Sequence, residues 1–171
     1  FKTFVVCLAL FSTVSAAESR NAGRAILELP PVPGNPRNSE GAFLTLRDGR
    51  LLFVYSHFLG DSGSDHAKAR LAARHSADAG ETWSADTFIP IPQEEKAMNV
   101  MSVSLLRMAN GDLGLFYLLR FSWHEMRMWL QRSSDDGRTW GEPINCMPAG
   151  GYYVVNNDRV IRLKSGRIVI P

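Results

Sequence analysis

The sequence predicts an all-β protein whose four-stranded sheets repeat radially as the blades of a β-propeller, and three observations predict it. An octet is written twice, "SADAGETW" at Ser76–Trp83 and "SSDDGRTW" at Ser133–Trp140. A hairpin phrase is written three times, "FLTLRDGRLLFVY" from Phe43, "SLLRMANGDLGLFY" from Ser104 and "VIRLKSGRIVIP" from Val160. Between these phrases no stretch shows the 3.6-residue apolar period of a helix, whereas short runs alternate with the period of a strand. Repeats at a fixed spacing signal an array. Radial repetition of antiparallel sheets is a way to hide sheet edges, and such propellers have about four to eight blades.

Each element of the repeat has its own reason. When Gly49, Gly111 and Gly166 are aligned, Leu44, Leu106 and Ile161 fall at one offset before the glycine, and Leu51, Leu113 and Ile168 at one offset after it. Each copy is therefore expected to be a β-hairpin turning at Asp-Gly, Asn-Gly or Ser-Gly. A third strand follows, "ARLAARHS" in the first unit and "MRMWLQRS" in the second. The octet comes next as the turn from strand three to strand four, and the fourth strand lies in "SADTFIPI" or "GEPINCM". The chain thus holds two complete units and the inner hairpin of a third. The segment "RAILEL" before the first hairpin is expected to be an outer strand of a further blade. With Phe1 in place of an initiating Met and an apolar run reaching Pro171, the sequence reads as a fragment of a longer protein.

Composition narrows the functional classes. Of 171 residues, 45% are hydrophobic and 21% charged, the balance of a chain that buries a core, and a net charge of +2 without a basic stripe argues against a nucleic-acid partner. Residues 1–17, "FKTFVVCLALFSTVSA" and the next alanine, have the order of a secretory signal: a cation, an apolar run from Phe4 to Phe11, and small residues at Val14-Ser15-Ala16. That predicts a secreted or periplasmic protein with no stable membrane span after cleavage, and a folded part at 18–171. Removing Cys7 with the leader leaves Cys146 without an intramolecular partner, so it is expected to be a small buried hydrophobe. "HEMRM" is not a zinc motif, because the position four residues after His124 is Met128. No metal and no cofactor is expected.

The octets could be chemistry or construction, and topology separates the two. In a four-stranded meander the start of strand one and the strand two to three loop share one end, while the octets lie at the other. Ser76 and Asp78, like Ser133 and Asp135, are then expected to bond the backbone of their turns, with Gly80 and Gly137 at positive φ and Trp83 and Trp140 packed back on the sheet. Function is expected at the opposite end, where polar groups precede the inner strands: "NPRNSE", "NVMS" and "NNDR". Asn99 stands as far before Leu106 as Arg37 does before Leu44. Asp158 and Arg159 either line a pocket there or pair with one another.

The octet is similar to the Asp-box, or BNR repeat, and the chain after the leader resembles the N-terminal half of the sialidases, six-bladed β-propeller glycosidases. The resemblance implies a hydrolase of terminal sialic acid that retains anomeric configuration, with sialylated glycoconjugates as substrate. It implies a pocket arginine just before the first inner strand, where Arg37 stands. A planar guanidinium suits the sugar's carboxylate. It implies an acid/base Asp in the strand two to three loop of the first blade, which offers Asp65 and, as second choice, Asp61; either could instead cap the glycine-rich turn. The family's nucleophilic Tyr, its partner Glu and two further arginines belong to its C-terminal half. Tyr152 and Tyr153 are expected to be core or pocket-wall aromatics, and Trp123, His124 and Glu125 to shape a subsite. The alternatives are a non-catalytic glycan-binding Asp-box propeller and a propeller glycosidase for another sugar.

Overall fold

The computed structural model describes residues 24–171, and the expected leader at 1–17, with Cys7, lies outside the described residues. Strands β1 (Asn38–Thr45), β2 (Leu51–Phe58), β3 (Ala69–Ser76) and β4 (Thr87–Phe88) form one antiparallel meander in chain order. Strands β5 (Asn99–Arg107), β6 (Leu113–Ser122), β7 (Glu125–Ser133) and β8 (Ile144–Asn145) form a second, and β9 (Ile161–Arg162) pairs with β10 (Ile168–Val169). The 3₁₀ turn at Glu94–Lys96 is the one helical element among the described residues, and no helix there is long and apolar enough to cross a membrane. "RAILEL" forms no strand, and the further blade to which it was assigned is not among the described sheets. The segment lies along the first sheet, where Asn38 Nδ2 donates to Leu29 O at 3.2 Å.

The three hairpins turn in the same way. Leu46 N donates to Arg50 O, Met108 N to Asp112 O and Leu163 N to Arg167 O, each at 2.8 Å. Gly49, Gly111 and Gly166 have φ of 85°, 89° and 86°, while Asp48, Asn110 and Ser165 before them stay out of the left-handed region. This is the three-residue loop of a type I turn closed by a left-handed glycine, since a two-residue type I′ turn needs positive φ twice.

Burial follows the two-residue period. Along β6, Leu113, Leu115, Tyr117 and Leu119 enter a core shared with Leu52, Val54, Leu71 and Ala73 of the first sheet, while Phe116 and Leu118 enter a second core with Met126, Met128 and Val160. The second sheet is thus apolar on both faces, which is why "LGLFYLL" reads as a continuous run rather than an alternation. Strand β5 packs across β1, β2 and β3. Cys146 is half-buried against the second core, and burial raises its thiol pKa. On the other face of the first sheet Phe43 stacks on Phe53 at 4.2 Å and Trp83 meets both edge-on. Gly41 is required there, because a Cβ would fall 2.2 Å from the Phe53 ring.

The two octets close the same network. Ser76 Oγ donates to Asp78 Oδ1 and accepts from Gly80 N, both at 2.8 Å, and Asp78 accepts from Thr82 N at 2.9 Å and from its hydroxyl at 2.6 Å. In the second copy Ser133 donates to Asp135 and accepts from Gly137 N, both at 2.7 Å, and Asp135 accepts from Thr139 N at 2.9 Å and from its hydroxyl at 2.6 Å. The residue before each glycine is left-handed as well, Ala79 and Asp136 both at φ 58°, a feature no pattern in the octet announces. Asp136 also accepts from Arg47 N at 2.8 Å and from Arg107 Nη1 at 2.5 Å, joining the octet to the first sheet's hairpin and to β5.

The Thr82 hydroxyl and N–H hold the Asp78 carboxyl down at about 2, and Thr139 holds that of Asp135 lower still. A carboxyl depressed on folding contributes stability above its unfolded pKa of about 4, and that contribution is lost as pH falls through the folded value. The melting temperature is therefore expected to hold from pH 7 to about 5 and to fall between about pH 4 and 2. Asp78→Asn with Asp135→Asn should lower it at neutral pH and flatten that acid slope. Calorimetry across the range checks both. An unchanged slope in the double variant would remove the carboxylates from the account.

Candidate active site

The antiparallel order brings the start of β1 and the β2–β3 loop to one end of the first sheet, opposite the octets. Asn35 anchors that end. Its buried amide donates to Phe58 O at 2.8 Å and Arg37 O at 3.0 Å, and Phe58 N donates to Arg37 O at 3.0 Å, extending the β1–β2 ladder by one residue. The Arg37 guanidinium then lies 4.6 Å from the centre of the Phe58 ring and reaches the loop.

There Arg37 meets Asp65, with Arg37 Nη1 2.5 Å from Asp65 Oδ1 and 3.1 Å from Gly63 O. Its other terminal nitrogen stands 3.9 Å from Glu40 Oε1. The Arg37 hydrogen bond holds the Asp65 carboxyl below its ordinary range, and the charges of Arg37, His66 and Arg120 act the same way. Glu40 reaches the site through a β-bulge. The β1–β2 register shifts between Ser39 and Ala42, and Glu40 takes φ 58°. Strand β5 repeats this at Ser102, with φ 57°, and Ser102 N donates to Glu40 Oε2 at 2.8 Å. Strained left-handed residues at bulges re-aim side chains, and two at matching positions on neighbouring inner strands converge here.

The second sheet supplies Arg120, which is 5% exposed. Its Nη1 donates to Asp65 O at 3.2 Å and also bonds His66 Nδ1, while its Nη2 donates to the Tyr152 hydroxyl. Glu40, Asp65, Ser102, Arg120, Tyr152 and Asn156 line a cavity of about 220 Å³. A larger cleft of about 440 Å³ lies at the octet end, beside His75, Pro90, Gly137 and Trp140. The smaller cavity is the better candidate because ionisable groups from three segments converge on it.

The remaining expected residues fall as follows. Asp61 lies in the exposed turn that opens the loop, and among the described residues the carboxylates paired with Arg37 are Asp65 and Glu40. Asn99 is 1% exposed and does not line the cavity; its amide donates to Ala67 O at 2.5 Å, so it holds the loop from behind. Asp158 and Arg159 are exposed and form no ion pair with each other among the described residues. Their backbones dock on β5, Asp158 N to Val103 O at 2.8 Å and Arg159 N to Ser104 Oγ at 3.1 Å. Arg159 faces a separate cleft with Val154 and Asn156. Trp123, 60% exposed, packs on His66 at 4.2 Å, and Glu125 pairs with Arg127 at 2.7 Å.

Sequence reasoning passed over Glu40, His66 and Arg120. Arg120 left a signal, a cation inside the apolar run Leu113–Phe121, and Glu40 lies within "NPRNSE", where function was expected.

No protein-family model matches the chain and no curated protein matches it. Among solved structures it is similar to the Hadza microbial sialidase Hz136, with a TM-score of 0.66 and 19% identity over 80% of this chain and 32% of that one. It is also similar to a protein of unknown function from Dyadobacter fermentans DSM 18053, with a TM-score of 0.60 and 15% identity over 81% of this chain and 46% of that one. The chain spans less than half the length of either structure, and at these identities the likeness is one of fold: a sialidase-like all-β architecture.

Proposed function

We propose that the chain belongs to a six-bladed β-propeller and forms one wall of the active site of an exported exo-glycosidase of the sialidase type, which releases terminal sialic acid from glycoconjugates with retention. The observation that carries this reading is the pairing of Arg37 with Asp65 at 2.5 Å, beside a cavity at the end of the sheet opposite the octets. In this reading the two octets are Asp-boxes that brace the blades. Arg37 offers a planar fork to the substrate carboxylate. Asp65 gives a proton to the glycosidic oxygen and later takes one from water. The nucleophile is not assigned to this part of the chain.

One feature favours the non-catalytic, glycan-binding alternative: the Arg37 hydrogen bond holds the Asp65 carboxyl below its ordinary range, whereas a general acid must hold a proton. The two readings separate in the full-length protein. On a sialyl-linked glycan the enzyme reading expects free sialic acid, appearing first in the anomeric form of the substrate by NMR. Glycan binding without release would establish the alternative, and hydrolysis confined to neutral glycosides would mean another sugar. Arg37→Lys is expected to weaken binding of acidic sugars by on the order of tenfold, since one charge-assisted hydrogen bond is worth about 1.5 kcal/mol or more. Titration with an unreactive sialic acid analogue checks it, and unchanged affinity would take Arg37 out of the carboxylate site.

A further inference from the structure

Both hydrogens of Arg37 Nη1 are already engaged, by Asp65 and by the Gly63 carbonyl. A ligand carboxylate that takes its Nη1 must displace Asp65 Oδ1, and the Arg37 bond to Gly63 O sits on the same nitrogen. The part of the β2–β3 loop that carries Asp65 has few other ties. Its own backbone bonds are Leu59 N to Lys68 O and Ala67 N to Ser64 O, both at 2.8 Å, and Gly60 N reaches Gly34 O at 3.1 Å. Once Arg37 is occupied, what holds Asp65 itself at the cavity is Arg120, which grips its carbonyl oxygen and the ring of the next residue, His66.

Arg120 is built for that task. It rises from β6, paired with both β5 and β7, so its stem is fixed by a four-stranded sheet rather than by a loop. None of its hydrogen-bond partners is a carboxylate, and it appears in no ion pair among the described residues. A guanidinium buried without a carboxylate is costly, so a simple brace between sheets would be better made of apolar groups. The Tyr152 hydroxyl and ring fix its far edge. An incoming anion that draws Arg37 away from Asp65 therefore leaves the Arg120 bonds intact.

We infer that Arg120 is a positioning residue, holding the backbone of Asp65 at the cavity after the ligand has taken Arg37; its catalytic consequence rests on the sialidase-type reading. The test uses the full-length protein with Arg120→Met and Arg120→Lys, read by hydrogen exchange of loop 59–68 and by steady-state kinetics on a sialyl-linked glycan and an aryl sialoside. In Arg120→Met the loop amides should exchange faster. The kcat on the glycan should fall by about 10²-fold, the loss that a misplacement of about 1 Å produces. KM should stay within about twofold and the aryl sialoside, whose leaving group needs little protonation, should lose far less. Arg120→Lys should recover part of the loss. Unchanged loop exchange would overturn the inference. A raised KM with kcat intact would make Arg120 a ligand contact instead, and parallel losses on both substrates with a lower melting temperature would make it a tie of the fold. Wild-type protein that hydrolyses no sialoside, with exchange still faster in Arg120→Met, would overturn the sialidase reading while leaving the hold on the loop standing.

Discussion

On the sialidase-type reading proposed above, Asp65→Ala in the full-length protein is expected to slow hydrolysis of a sialyl-linked glycan by about 10² to 10⁴-fold, the span of general acid catalysis. Aryl sialosides should lose far less, because a good leaving group departs with little protonation. The pairing with Arg37 adds a signature in pH. In the free protein that hydrogen bond holds the Asp65 carboxyl below its ordinary range; with a ligand carboxylate on Arg37 it loses the bond and gains a negative neighbour, and both changes raise its pKa. The group must be protonated to act, so activity falls as pH rises through its pKa. Because kcat/KM reports the free enzyme and kcat the complex, the descending limb of kcat should lie at higher pH than that of kcat/KM. Of the other titratable groups here, His66 Nδ1 accepts from Arg120 and Glu40 Oε2 accepts from Ser102 N, so neither takes Asp65's place at Arg37 Nη1. Coincident limbs, or full activity of Asp65→Ala on the glycan, would move the acid to Asp61 or to another part of the protein.

Leu115→Ala is expected to destabilise the full-length protein by about 3 to 4 kcal/mol, within the range for burying and then emptying a leucine site. Leu115 is fully buried on the central strand β6, in the core between the two sheets. Strands on both sides prevent collapse around the cavity. Trp140→Ala, at a half-buried octet residue packed against the same core, should cost less, about 2 kcal/mol, and on the sialidase-type reading should leave kcat of the folded protein unchanged. Urea unfolding of the two variants gives the comparison. A larger loss at Trp140 would mean that the octets, not the sheet interior, dominate the fold's stability.

Much of the architecture is legible in the sequence. The glycine alignment located the three hairpins, "ARLAARHS" coincides with β3, and β4 and β8 fall inside the segments assigned to fourth strands. These succeeded because hairpins and strands are written in local code, a turn residue and an alternation. Arg37 and Asp65, singled out through topology and resemblance, pair at one end of the first sheet. Asn99 was sought on the cavity wall and lies behind it, because an offset from the hairpin fixes a strand position and not the direction of a side chain beyond the strand's end.

The sequence by itself determined the strand order, the repeat and the end of the sheet where ionisable groups gather, since each depends on neighbours within one unit. The tertiary structure alone decided which groups touch. Glu40 and Ser102 face each other because bulges in two sheets turn both backbones left-handed, and Arg120 reaches Asp65, His66 and Tyr152 only because the second sheet packs beside the first loop and the third hairpin follows on. Such contacts join residues far apart in the chain, and their geometry is set by packing between sheets, which no local pattern of residue types encodes.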